Sequence, residues 1–350
     1  MNTRQLIFAR EYRGYTQSEL SNSIPGLSQS NLSKFEKGMG TLSEEIQTKV
    51  FEFLNFPEGF FKKKINSTIE NGNYRKRSVI SKTLVRRFEN KCRVIGYMID
   101  EMSESINWPA FRLAYFDLEE GYSPKYVAGY TRKLLRLFNR EPVKNIFGLL
   151  EKSGIIIHEI EESEKFDAVS FFTDKGYPII ILNRSFSNDR KRFNLSHELA
   201  HLLMHNELEY PIPEHRDKEY EANVFASEFL MPEIDIKDDL RGLKFSELAD
   251  LKSYWLTSMS SLIRRARDLN GIDSDRYRYL MIEISRNGYS KKEPINVFID
   301  KPTCFKNGYL LFREELDYSD NDLAETMALP IDIIKDAFSF DNQVHLRKVA

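Results

Sequence analysis

The run RFNLSHELAHLLMH, residues 192–205, limits what this chain can fold into more than any other stretch. It carries His197, His201 and His205 at a spacing of four, with Glu198 directly after the first, in a chain that has only 6 histidines. Side chains four apart on a helix lie about one turn apart on the same face, so the imidazoles of His197 and His201 can converge on one cation. The rest of the stretch is largely apolar: Phe193, Leu195, Leu199, Leu202, Leu203 and Met204. A helix with that surface has to be buried, so the chain must supply structure that packs over it.

Zinc suits the pattern. Imidazole nitrogens bind Zn²⁺ at about 2.0–2.1 Å in tetrahedral geometry, and a catalytic site keeps one position for water. Glu198 would stand beside that water. Its carboxylate can take a proton as the water attacks a peptide carbonyl, then hand it to the leaving amine. A third protein ligand is still needed. His205 lies eight residues beyond His197, about 12 Å further along a straight helix at 1.5 Å per residue. It is therefore assigned to the helix end, bonding terminal carbonyls or an adjacent loop. The segment DKEYEANVFASEFLMP, residues 217–232, offers better candidates. Glu219 shares a helical face with Ala222, Asn223 and Ala226, small side chains that allow close approach to the histidine helix. Glu221 shares its face with Val224, Phe225 and Glu228, where the bulk of Phe225 argues for core packing. Glu219 is the preferred third ligand and Glu221 the alternative.

The strands needed to cover such a helix come just before it. IIIHEIEE, AVSFFTD and YPIIILN are rich in β-branched residues and separated by polar turns, whereas helical periodicity dominates nearly everywhere else. The expected fold class is α+β, mostly helical: an N-terminal five-helix-type bundle, a zincin-like core of a small sheet plus the His-Glu-x-x-His helix, and a helical C-terminal accessory domain. The expected boundaries are residues 1–66, a helical connector at 67–121, the core at 122–235 and the accessory domain at 236–350. An apolar fraction of 41% against 30% charged suits packed cores of this kind.

A family resemblance follows from the order of these elements. The strand PIIILN, then RFNLSHELAHLLMH, then EYEANVFASEFLMP resembles the ImmA/IrrE metallopeptidases of bacteria and their mobile elements. In that family the glutamate of E-x-x-A-N-x-F-A completes the zinc site, which implies Glu219 here. The segments LKSYWLTSMSSLIRRARDL and RNGYSKKEPINV resemble the C-terminal extension of its longer members. The resemblance implies zinc-dependent cleavage of a protein such as a transcriptional repressor.

The first residues bear on a different partner. RGYTQSEL…LSQSNLSKFEKG predicts two short helices, headed by Thr16 and Ser28 and separated by a break at Ile24–Pro25–Gly26. Leu20, Leu32 and Phe35 would hold them together, leaving Gln17, Gln29, Ser30, Asn31, Ser33 and Lys34 to face outwards. Gln and Asn can read adenine, while Ser, Lys and backbone amides suit phosphates. The stretch resembles a Cro/C1-type (XRE) helix-turn-helix, although SNSIPGLSQ is one residue longer than the usual turn. Double-stranded DNA is the implied partner. Net charge is −2 overall, and residues 1–64 hold nine Lys and Arg against seven Asp and Glu, so non-specific attraction to DNA should be modest. The basic run at 74–93 could add phosphate contacts.

Together these features predict a DNA-binding regulator with a zinc endopeptidase domain. The alternative is a helix-turn-helix regulator or toxin–antitoxin component whose zinc domain is sensory or structural. Cys92 and Cys304 are the only cysteines, and no apolar run is long enough for a membrane span, so a cytoplasmic setting without a membrane partner is expected. A homodimer is left open. The edge of the strands near Pro178–Asn183 is the expected place for a substrate strand to align.

Overall fold

The computed structural model describes residues 1–69, 80–138 and 140–339. Four short helices open it: α1 (Thr3–Tyr12), α2 (Gln17–Ser23), α3 (Gln29–Glu36) and α4 (Glu44–Leu54). Each begins where a small polar side chain accepts an otherwise unpaired amide. Asn2, Thr16, Ser28 and Ser43 do so in turn, and Thr16 forms a reciprocal capping box with Glu19. Gly26, at φ +90°, turns the chain between α2 and α3. Leu20 and Leu32 are fully buried between them and Phe35 nearly so. Arg10 reaches across from α1 to make a bidentate pair with Glu36 of α3, at 2.7 and 2.9 Å.

The longest helix, α5 (Lys82–Met102), packs against α1 on one side and the sheet on the other. Gly96 permits the second contact, since a Cβ there would stand 3.0 Å from the ring of Phe171. The basic run only partly falls within the described residues, because 74–79 lie outside them. Of the rest, Arg86 pairs with Glu11, Lys91 with Glu162, and Arg93 donates to the carbonyls of Ser67 and Ile65. Those cations already serve the fold.

After α6 (Pro124–Leu134) and α7 (Ile146–Lys152) come the three strands, β1 (Ile156–Ile160), β2 (Ala168–Phe172) and β3 (Pro178–Asn183). Their order is β1-β3-β2, with β1 parallel and β2 antiparallel to β3. The segment Pro178–Asn183 is therefore the central strand, bonded on both sides, and cannot accept a further strand. The expectation of a substrate-aligning edge there is corrected: the open edges belong to β1 and β2. Every residue of β3 is buried because both faces of the sheet are covered. Ile156, Val169, Phe171, Ile179 and Ile181 point into a core shared with α1–α5. Ile157, Ala168, Ile180 and Leu182 point into a second core on the other face.

That second core is built by α8 (Asn188–Met204), α9 (Lys218–Leu230), the short α10 (Glu233–Ile236), α11 (Leu248–Trp255), α12 (Met259–Asp268) and α13 (Ser274–Arg286). The last helices, α14 (Cys304–Glu314), α15 (Asp320–Thr326) and α16 (Ile331–Ala337), return to the first core. Glu151 starts α14 by accepting from the amides of Thr303 and Cys304. Arg13 of α1 bonds Asp332 of α16 at 2.6 Å, and the Tyr97 hydroxyl donates to the carbonyl of Met327. Residues 236–339 thus contribute to both cores. Among the described residues, no helix is long and apolar enough to cross a membrane.

Candidate metal centre

Helix α8 lies under the sheet, and α9 packs closely along it because Ala222 and Ala226 are fully buried with no bulk to hold the helices apart. This pairing brings one carboxylate to the two histidines. Among the described residues, His197, His201 and Glu219 are the one group of His, Cys and acidic side chains whose ligand atoms all lie within 4.8 Å of each other. The three separations are 3.1 Å between the Nε2 atoms, 3.5 Å from His197 Nε2 to Glu219 Oε2, and 3.6 Å from His201 Nε2 to Glu219 Oε1. A tetrahedral zinc with bonds of about 2.0–2.1 Å has ligand–ligand edges of about 3.4 Å. The triangle has that size and the right donor types, so the residues fit zinc.

Burial pushes the His197 ring down, but the carboxylates of Glu219 and Glu198 outweigh it, and its pKa is raised. That proton must leave before the ring can ligate a metal. His201 is held well below the usual imidazole range, chiefly by burial and then by His197 and His205, so it stays neutral and able to ligate.

Glu198 is 1% exposed and outside the ligand triangle. Its Oε2 accepts a 2.7 Å hydrogen bond from the hydroxyl of Ser170, on β2 opposite Ile180. Ser170 ties the acid to β2, one of the two edge strands. No motif announces this contact, since Ser170 precedes Glu198 by 28 positions.

The two candidate third ligands separate cleanly. Glu219 joins the triangle, whereas Glu221 accepts from His205 Nε2 at 2.8 Å and from Arg216 Nε at 2.6 Å. Burial opposes ionisation of Glu221, but these two partners prevail and lower its pKa. His205 is the C-cap of α8, as expected of a helix-end residue. Its ring bonds differ from the expected ones: they go to His201 and Glu221. Asn223, placed beside Glu219 by helical spacing, presents its Oδ1 3.2 Å from His197 Nδ1. Tyr210 donates its hydroxyl proton to the carbonyl of Phe116 at 2.6 Å.

A cleft of about 1660 Å³ opens over His197, Glu198 and Glu219. Its far wall comes from residues to which the sequence assigned no chemistry, including Ser258, Ser261, Met281, Ile284, Lys291 and Glu293. Glu293 pins that wall in place by accepting from the buried Lys252 ammonium at 2.6 Å and from the Met259 amide at 3.0 Å. A smaller cavity of about 250 Å³ lies along β2 on the His201 side, bounded by Ser170–Asp174 and by Asn66–Thr68.

Residues 151–267 match the Peptidase_M78 family, the IrrE N-terminal-like domain. The match supports an ImmA/IrrE-type metallopeptidase, and M78 peptidases are in general zinc-dependent. The M78 segment runs from α7 through the three strands and the metal-site helices into α12. No curated protein and no solved structure matches the chain.

The residues expected to meet DNA lie outside the M78 segment. Gln29, Ser30, Asn31 and Lys34 are exposed on α3. Ser33 and Gln17 are half-buried, and Gln17 spends its amide on Glu36 at 2.7 Å while accepting from Gln29 at 3.1 Å.

Proposed function

We propose that the chain is a zinc endopeptidase of the cytoplasm that cuts a partner protein, with a transcriptional repressor as the class of substrate. The observation that carries this reading is the buried Glu198, set beside a zinc-sized His–His–Glu triangle and tied to an open sheet edge. A site that only braced the fold would close its coordination with a fourth side chain and would have no use for a carboxylate at that position.

His197, His201 and Glu219 hold the metal in this reading. Zinc bound there supplies Lewis-acid polarisation of a peptide carbonyl and acidifies its water. Glu198 accepts the proton of the attacking water and returns it to the leaving amine. Ser170 keeps that carboxylate from swinging away. The outer edge of β2 aligns an extended substrate by strand addition, with alternate side chains directed into the flanking cavities.

Metal analysis by mass spectrometry tests the site. About one zinc per chain is expected in the wild type. Glu219→Ala should lose it, while Glu221→Ala should retain it after saturation with zinc. A wild type that takes up no zinc would remove the peptidase reading.

The N-terminal helices are proposed to dock the enzyme on double-stranded DNA through α3, the reading supported by the exposed Gln29, Ser30, Asn31 and Lys34. On a duplex selected from a random library, Asn31→Ala should cost about 1–3 kcal/mol if it pairs with a base. Lys34→Ala should weaken all duplexes evenly and flatten the salt dependence. Failure to select any duplex at low salt would refute this part.

A further inference from the structure

His205 is the one histidine of the run outside the ligand triangle, yet its ring is 1% exposed and bonded at both nitrogens. Its Nδ1 stands 2.9 Å from Nδ1 of His201, and its Nε2 stands 2.8 Å from Oε2 of Glu221. The protons along this chain can be placed by elimination. Nε2 of His201 faces His197 and Glu219, on the side where a metal would sit, so it must be bare to act as a ligand. The proton of a neutral His201 then resides on Nδ1 and donates to Nδ1 of His205. His205 in turn carries its proton on Nε2 and donates to Glu221. Glu221 is fixed from its other oxygen by Arg216, whose Nη1 reaches Glu119 at 2.8 Å. From His201 through His205 to Glu221 each link has one donor and one acceptor and both point the same way, while Arg216 donates to Glu221 from the other side.

The two histidine ligands are thus braced differently. His197 meets a neutral amide, Asn223, at 3.2 Å. His201 meets an ionised carboxylate through a second imidazole, away from water. Partners of this kind hold a ligand's tautomer and ring plane and raise its basicity toward the metal.

We propose that His205 is a positioning residue for the ligand His201, transmitting the carboxylate of Glu221 and so setting the tightness of zinc binding. This rests on the zinc reading above. Three forms of the full chain test it: wild type, His205→Phe, which fills the space without bonding, and His205→Gln. A glutamine can accept from His201 Nδ1–H through its oxygen and donate to Glu221 through its amide. Zinc affinity is measured by competition with a chromogenic chelator, and Co²⁺ absorption reports the coordination geometry. Thermal unfolding of the metal-free proteins checks the fold.

His205→Phe should bind zinc roughly 10–100-fold more weakly and show an altered Co²⁺ spectrum, while His205→Gln should return both towards the wild type. Should His205→Phe fail to fold, Glu221→Gln replaces it, with weakened zinc binding expected. Unchanged affinity in the folded phenylalanine variant, or in Glu221→Gln where that takes its place, overturns the inference. So does a glutamine variant as weak as the phenylalanine one, because packing would then explain the loss. A wild type that binds no zinc overturns the zinc reading itself, whereas tight binding unchanged by substitution removes only the role of His205.

Discussion

Glu198→Gln is expected to leave zinc bound at the wild-type level and to lower peptide-bond hydrolysis by about 10²–10⁴-fold, the usual contribution of a positioned proton acceptor. The two halves of that result have separate causes. Glu198 is outside the ligand triangle, so metal content should not change. Glutamine has nearly the shape of glutamate, and its carbonyl oxygen can still accept the 2.7 Å bond from Ser170, so the cleft keeps its form. What is lost is the ability to take a proton. The measurement compares turnover of a quenched-fluorescent peptide library by the two zinc-loaded proteins, with their zinc content read in parallel. Equal turnover would show that Glu198 is no base, and a variant that also lost zinc would place it in coordination instead.

Arg192→Leu is expected to destabilise the core around α8 by roughly 3–5 kcal/mol, the range for disrupting a buried charged network. Arg192 is 0% exposed and is held by backbone carbonyls: Nε donates to Leu256 at 2.9 Å, Nη1 to Lys144 at 3.2 Å, and Nη2 to Val143. Burial lowers its pKa to about 10, which still leaves it charged at neutral pH. Leucine restores part of the apolar volume but leaves those carbonyls without their donor, and each such loss costs about 1–3 kcal/mol. Urea unfolding of the metal-free chain measures the difference, free of any contribution from zinc. A change below about 1 kcal/mol would mean that water replaces the guanidinium at little cost.

Much of the local structure was legible because it depends on neighbours in sequence. Thr16 and Ser28 start α2 and α3 by bonding the amides three residues on. The spacing of His197 and His201, and the small face of Ala222 and Ala226 beside Glu219, point to the three side chains that the structure brings together. Contacts between distant segments were not legible. A strand rich in isoleucine reads the same at the centre of a sheet as at its edge, so the pattern of Pro178–Asn183 does not reveal its central place. The grip of Ser170 on Glu198 depends on strand order, and the far wall of the cleft depends on how α13 and the loop after it fold back. His205 shows the same limit at short range. Rise per residue sets it apart from His197 and His201, but only the approach of α9 reveals that its ring meets Glu221. For α3, spacing gave the positions, while the engagement of Gln17 by Glu36 needed the fold.

The sheet with both faces covered has a consequence for how this protein can be divided. The family likeness ends at residue 267, yet one face of β1, β2 and β3 packs on α1–α5 and on α14–α16. Cutting at the borders of the likeness would lay bare Ile156, Val169, Phe171, Ile179 and Ile181, an apolar plate on one face of the sheet. Likeness and autonomy therefore draw different borders on this chain: the matched segment is defined by its likeness, but it is completed by neighbours on either side of it.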